Sequence, residues 1–510
     1  MASDPQAESN RVAARTRALG CHHPDPSDRN LSPGPSGRYC VRGRERCCVG
    51  AGVKRIIIEP GRWILATLTV ACLVLSLTSG ASAQTRSLIR DAEIEATIRD
   101  LATPLFQAAG LSPEGVSIYL INDDRLNAFV AGGQNLFLNT GLIMAMRSPL
   151  ELIGVIAHET GHIAGGHLAR TSDAIASAST TALLSAIVGV ATAVATGRGD
   201  AGAAIALGGQ SAATRSFLSY SRAQESAADQ AALRYLDTTQ QSAQGLARFF
   251  EELASQELLS IQRQSPYMST HPFTRDRLNT VEEHVRNSPY AEAPATPEQT
   301  ARFERMVAKL HGFIRSPSLT FRKYPDTDTS NAARLARAIA YREVPDYPKA
   351  IALTRELIAD DPDDPYLYEL EGQLLFESGR IDEAVGPMEK ANALAPSAGL
   401  IEVSLAQVLL AKNEPAADQK ALDHLQRAKR SEADWPFFWR QLATAQGRLG
   451  DIGQAALSLA EEAVRQSDWQ SAEVQAKRAQ TLLNPGTPAM LRALDIEELA
   501  KRERAASRKK

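Results

Sequence analysis

Between Leu152 and His167 the chain reads LIGVIAHETGHIAGGH. His158 and His162 stand four residues apart, so on a helix their imidazoles leave the same face. Two neutral ring nitrogens on a stiff element suit a zinc ion, whose bonds to nitrogen run about 2.0–2.1 Å. Glu159, next in sequence to His158, falls beside that face, where it can take a proton from the attacking water. Leu152, Ile153, Val155 and Ile156 make the preceding run apolar, so the helix carrying the pair should be buried and stiff. The same H-E-x-x-H string arises by chance in helices, where the histidines are satisfied core residues. Against that, seven of the nine histidines follow residue 83, and a third ligand can be located.

Two arrangements of a third ligand are to be told apart. One needs a Gly three residues after the second His and a third His six after it. Gly165 fits, but position 168 is Leu168, and His167 arrives one residue early. On a helix that continues from Pro149 to about Arg170, His167 lies far round from His162 and is not expected to ligate directly. The other arrangement takes a Glu from a second helix. ESAAD at 225–229 puts Glu225 and Asp229 four apart on one face, the first to close the shell and the second to fix an imidazole N–H. Ala227 and Ala228 between them permit close helix approach. Such a pair is otherwise a common solvated face; with H-E-x-x-H upstream the ligating reading is preferred.

The elements that must hold these residues can be read on either side. The pattern is helical from Asp91 to about Leu111, Val116–Ile121 (VSIYLI) reads as a strand, and Gly132-Gly133 leads into an apolar stretch at Asn135–Leu138. Residues 84–290 are therefore expected to form the metal-bearing domain. Prolines and weak periodicity over 291–330 predict a linker. Beyond it Ala338, Gly372, Ala406 and Ala443 recur at spacings of 34, 34 and 37, each followed by an alanine (Ala350, Ala384, Ala421, Ala455). That register, over 331–485, is the tetratricopeptide pattern of stacked helix pairs. A three-residue insertion near Glu414 to Lys420 predicts an irregular turn in the third unit, and 486–510 reads as a charged tail.

Upstream, Arg62 precedes an uncharged apolar run, Trp63–Leu77, that ends in Ala81-Ser82-Ala83. These are the parts of an export signal over 53–83 with cleavage near Ala83, and they predict a periplasmic protein in a Gram-negative cell. Residues 1–52 fit a mis-assigned start or an unstructured extension better than a domain. All five cysteines lie before residue 84, so the exported part has no thiol to mispair in an oxidising compartment. The formal charge of −3 provides no basic field for nucleic acid. Residues 174–197 carry no charge, which suggests a membrane-surface contact or a cover over the cleft.

NAFVAGGQNLFLNTGLI at 127–143, AHETGH at 157–162, ESAAD and His271-Pro272 together resemble the HtpX-like gluzincin metalloproteases. With the signal and the repeats, the chain from about 90 to 485 is similar to periplasmic members of that family that serve outer-membrane β-barrel assembly. The resemblance implies a mainly α protein: an α+β zincin-like metalloprotease domain, then an α-helical tetratricopeptide solenoid. It implies one Zn²⁺ per chain on His158, His162 and Glu225, with Glu159 as general base and Asp229 assisting. It implies that 134–138 is an edge strand on which a substrate pairs main chain to main chain. His271 matches the family's His-Pro position, where it either stabilises the oxyanion or fills the metal's open position and keeps the enzyme latent. The alternative is a helix-start histidine with no catalytic part. Arg275 is expected to lend the same site positive charge. The implied partners are protein and peptide substrates and the outer-membrane β-barrel assembly complex. The implied function is zinc endopeptidase action on misfolded or stalled envelope proteins. Its rival is an assembly chaperone whose protease stays mostly latent.

Overall fold

The structure, a computed structural model, describes residues 88–168, 199–256 and 265–507, with isolated residues between the first two spans. The readings placed on 1–52 and 53–83, and on 174–197 apart from two isolated residues, lie outside the described residues.

Helix α1 (Ala92–Ala108) starts where the Asp91 carboxylate accepts the Ile94 N–H, and it buries Ile94, Ile98, Leu101 and Leu105 along one stripe. Four strands follow the order β1-β2-β4-β3: β1 (Leu88–Ile89), β2 (Ser117–Ile121), β3 (Ala128–Ala131) and β4 (Asn135–Asn139). β2 and β4 are parallel; the other pairs are antiparallel. Strand alternation turns Leu120, Leu136, Leu138 and Ala128 into the core. On the opposite face Tyr119, Phe137 and Phe129 stack with centroids 5.0 and 4.9 Å apart. Gly132 and Gly133, both at positive φ, turn β3 back onto β4. That turn corrects one expectation. Residues 135–139 lie between β2 and β3 as an inner strand, and the edge strand on that side is β3, with β1 at the other edge.

After the short α2 (Thr140–Ala145), helix α3 (Pro149–Ala164) carries H-E-x-x-H through the core. Two glycines set its neighbours. A Cβ at Gly161 would lie 2.8 Å from the Ala228 carbonyl on α4 (Gly199–Thr238), and one at Gly154 would lie 2.8 Å from the backbone of Leu246 on α5 (Gln244–Gln256). Only hydrogen at Gly161 lets α3 press against the part of α4 that bears Glu225 and Asp229. α3 also stops sooner than the expected Arg170, because Gly165 and a left-handed Gly166 (φ 61) end it.

Helices α6 (Pro266–Thr270) and α7 (Arg275–Asn287) follow, the latter capped by the Thr274 hydroxyl on the Arg277 N–H. The span read as a linker contains α8 (Pro297–Ile314), started by a capping box of Thr296 and Gln299, and α9 (Pro317–Lys323). Phe303, Met306, Val307 and Leu310 of α8 belong to the same core as α1 and α3. Sequence periodicity missed this helix because its buried face is interrupted by the charged Arg305 and Lys309.

Five antiparallel helix pairs complete the chain: α10 (Asn331–Glu343) with α11 (Tyr347–Asp360), α12 (Pro365–Glu377) with α13 (Ile381–Leu394), α14 (Gly399–Ala411) with α15 (Pro415–Glu432), α16 (Pro436–Arg448) with α17 (Ile452–Arg465), and α18 (Trp469–Leu482) with α19 (Pro488–Ser507). A Cβ at Gly372 would lie 2.6 Å from Met388, which explains a small residue at that register. Gly379, Asn413 and Gly450, at φ 82, 55 and 86, break each of three pairs at the same place. The third turn is therefore regular. The insertion lengthens α15 to 18 residues, against 14 in α11 and α13, since Pro415 and the alanines after it extend a helix more readily than a loop. Most of the supposed tail is α19, which buries Ala493, Ile496 and Ala500.

The solenoid is built onto the first core. Lys309 of α8 pairs with Asp91 and Glu93 at 2.9 and 3.0 Å, and Arg305 pairs with Glu93 and with Asp364 at the start of α12. Arg90 bonds Glu95 and also reaches Glu432 of α15, each at 2.7 Å. Beside this seam lies a cavity of about 400 Å³, lined from one side by Lys309, Leu310 and Phe313 and from the other by Glu369, Ser404 and Trp435.

Candidate metal centre

His158 and His162 project from α3, Glu225 from α4, and His271 from the residue after α6. Their donor atoms converge on one point. His158 Nε2 lies 3.1 Å from His162 Nε2, 3.4 Å from His271 Nδ1 and 3.4 Å from Glu225 Oε2. Glu225 Oε1 is 3.4 Å from His162 Nε2, and its Oε2 is 3.3 Å from His271 Nδ1. Donors on arms of about 2.0–2.1 Å around a tetrahedral centre stand roughly 3.3–3.4 Å apart; the pairs above come close to that, and all four donor atoms lie within 4.8 Å of one another, which leaves room for one ion.

Charge is consistent with this. Glu159, Glu225 and Asp229 are all buried, and the Arg277 guanidinium pairs with the latter two. Both oxygens of Glu159 are buried without a hydrogen-bond partner among the described residues, with Oε1 3.4 Å from His271 Nε2, and a divalent ion beside them would offset the cost of that burial. The donor set and the orphaned carboxylate beside it fit a catalytic metal.

Asp229 lies under His158, with Oδ1 2.8 Å from Nδ1 in a close but poorly aligned contact, so the ring's Nε2 lone pair faces the centre. Burial pulls His158 down, yet Asp229 and Glu225 outweigh it and lift its pKa to about 9, so without a metal the ring holds a second proton that an ion at Nε2 would displace. Burial would likewise raise Glu225, but its bonds to His158, His162 and His271 hold it far below the usual carboxylate range. Asp229 is also held low against burial, by Arg277 first and then by His158.

Arg277 is the residue the sequence reading missed. Its Nε and Nη2 bond Asp229 at 2.6 and 2.8 Å, and its Nη1 lies 2.9 Å from Glu225 Oε2. The guanidinium also sits 4.8 Å over the Phe250 ring. Arg275, the residue expected to bring charge to the site, is exposed in the first turn of α7, while Arg277 two positions on is buried. Two residues make more than half a helical turn, so only one of the two can face inward. Here it is Arg277, drawn to the Asp229 and Glu225 carboxylates of another helix. Tyr267 was missed as well. It is fully buried, its ring stacks on His271 at 4.4 Å, and its hydroxyl has no hydrogen-bond partner among the described residues.

Fold and site together define a metallopeptidase of the kind in which H-E-x-x-H on one helix is completed by a glutamate from another. Residues 88–285 match the model of Peptidase family M48, and the chain carries a peptidase domain of that family. It is 26% identical over 410 residues to the putative beta-barrel assembly-enhancing protease of Vibrio cholerae, covering 79% of this chain and 83% of that one. It is 25% identical over 381 residues to the beta-barrel assembly-enhancing protease of Escherichia coli K12, covering 73% and 76%. Among solved structures, the TPR protein YrrB is 17% identical, with a TM-score of 0.27, over 37% of this chain and 100% of that one. No helix among the described residues is long and apolar enough to cross a membrane.

Proposed function

We propose that this chain is an exported, zinc-dependent endopeptidase of envelope proteins whose repeats bring it to its clients. The observation that carries the reading is the convergence of four donor atoms with the unpartnered Glu159 carboxylate beside them. His158, His162 and Glu225 would hold one ion per chain, and Asp229 orients His158. The chemistry a bound zinc would supply is polarisation of the scissile carbonyl and a lower pKa for the attacking water. Glu159 takes that water's proton on its carboxylate and returns it to the leaving amine. Arg277 keeps Asp229 and Glu225 ionised, so that both can serve the cation. β3, as the outer strand, is the one to which a substrate's main chain adds.

His271 Nδ1 stands at the fourth corner, where water has to enter, and its Nε2 faces Glu159. That position supports the latent reading over the oxyanion reading: hydrolysis waits for His271 to withdraw. The same position favours the rival function, in which the repeats assist assembly while the protease stays shut. A metal-bearing domain that begins near 84 and includes α8, export with cleavage near Ala83, membrane-surface contact through 174–197 and action beside the outer-membrane β-barrel assembly complex belong to this reading. The signal-like sequence and the names of the two relatives support it.

Glu159→Gln tests the chemistry. It should keep zinc and fold and lose peptidase activity by roughly 10²–10⁴-fold, since only the proton carrier goes. Activity within tenfold of the unaltered protein would remove Glu159 from the base role. Full function of the variant in envelope assembly would favour the chaperone.

A further inference from the structure

His162 presents Nε2 to the centre, so its outer nitrogen, Nδ1, needs a partner that fixes which nitrogen carries the proton. That partner is His167. Helix α3 ends at Ala164, and after the Gly165-Gly166 turn His167 Nδ1 lies 3.0 Å from His162 Nδ1, with the rings edge-on at 84°. The position is built. His167 is buried, and its carbonyl accepts the Gln224 side chain from the residue beside Glu225 on α4. Gly165 makes room for it: a Cβ there would lie 2.5 Å from His167 Nε2.

Two nitrogens at 3.0 Å share one proton. If His167 donated, neutral His162 would carry its own proton on Nε2, aimed at His158 Nε2 3.1 Å away, and would have no lone pair for a metal. If His162 donates, its Nε2 lone pair faces the centre. We infer that His167 is a positioning residue, a neutral acceptor that fixes the metal-binding tautomer and ring plane of His162. It is the counterpart of Asp229 under His158. The inference rests on the metal-centre reading above and adds to it a role for a histidine that is not itself a ligand.

The test measures zinc affinity of the full chain by competition with a chelator, alongside the melting temperature of the metal-stripped proteins. His167→Phe keeps a ring in place and removes the acceptor; zinc should bind roughly 10–100-fold more weakly, with the metal-stripped melting temperature unchanged. His167→Asn offers a carbonyl oxygen close to the lost Nδ1 and should restore affinity to within a few-fold. Gly165→Ala, which pushes a methyl group into the imidazole, should reproduce the loss. His167→Phe binding zinc within threefold of the unaltered chain overturns the inference, as does His167→Asn binding no better than His167→Phe. His162→Ala is the separate control: if it binds zinc as well as the unaltered chain, the metal-centre reading fails instead.

Discussion

Two buried ionic clusters hold this molecule together, and they are composed differently. At the seam between α1, α8 and the repeats, Asp91, Glu93, Asp364, Glu95 and Glu432 each meet Arg90, Arg305 or Lys309. Five carboxylates share three cations there, and each has a cationic partner. At the metal centre three imidazoles converge with Glu225, and the Glu159 carboxylate beside them has no hydrogen-bond partner among the described residues. Charges paired across helices hold a seam together; clustered imidazole nitrogens beside a carboxylate without a hydrogen-bond partner are what a catalytic metal requires.

That contrast can be broken by removing a cation from each. Arg277→Met leaves Asp229 and Glu225 without their guanidinium and Lys309→Met leaves Asp91 and Glu93 without an ammonium, so each should cost about 3–5 kcal/mol of stability. Only Arg277→Met should weaken zinc binding. Denaturant unfolding and metal analysis of both variants check this, and equal metal loss from the two would erase the distinction.

His271 sharpens it from another side. His271→Ala should keep zinc on the remaining three ligands and raise peptide hydrolysis several-fold, including self-cleavage. A fall in turnover with zinc retained would instead make His271 an oxyanion donor.

The smallest effect concerns the seam. Glu369 faces the cavity there and bonds the Ser404 hydroxyl; burial, against the opposing pull of Lys309, lifts its pKa to about 7. Between the ordinary value of 4.5 and 7, the folded protein keeps a proton that the unfolded chain has released. Stability therefore falls as pH rises through that window, and the penalty is complete above it. Glu369→Gln should raise the melting temperature at pH 8 and leave it nearly unchanged at pH 4.5. The same shift at both pH values would contradict the assignment.

Much of the centre was legible in the sequence because its spacing is local. His158 with His162, and Glu225 with Asp229, are i,i+4 pairs, and a helix dictates which face they share. What could not be read depended on turns or on contacts distant in sequence. Gly165-Gly166 ends α3 and lets His167 reach His162, where a continuing helix would carry it away. Arg277 turns inward onto Asp229 and Glu225, which lie on another helix. The outer strand β3 is set by a glycine turn, and α8 hides in the core behind Lys309 and Arg305, whose partners Asp91, Glu93 and Asp364 lie on other helices. The repeats showed through because small residues at helix crossings recur at nearly fixed spacing.

The proposed function turns on a metal held where three imidazoles and the Glu225 carboxylate converge. Metal analysis of the purified chain, set against Glu225→Ala, tests it most directly. The unaltered protein should carry about one zinc per chain, and Glu225→Ala should lose it while remaining folded. Zinc content unchanged in Glu225→Ala would contradict the assignment.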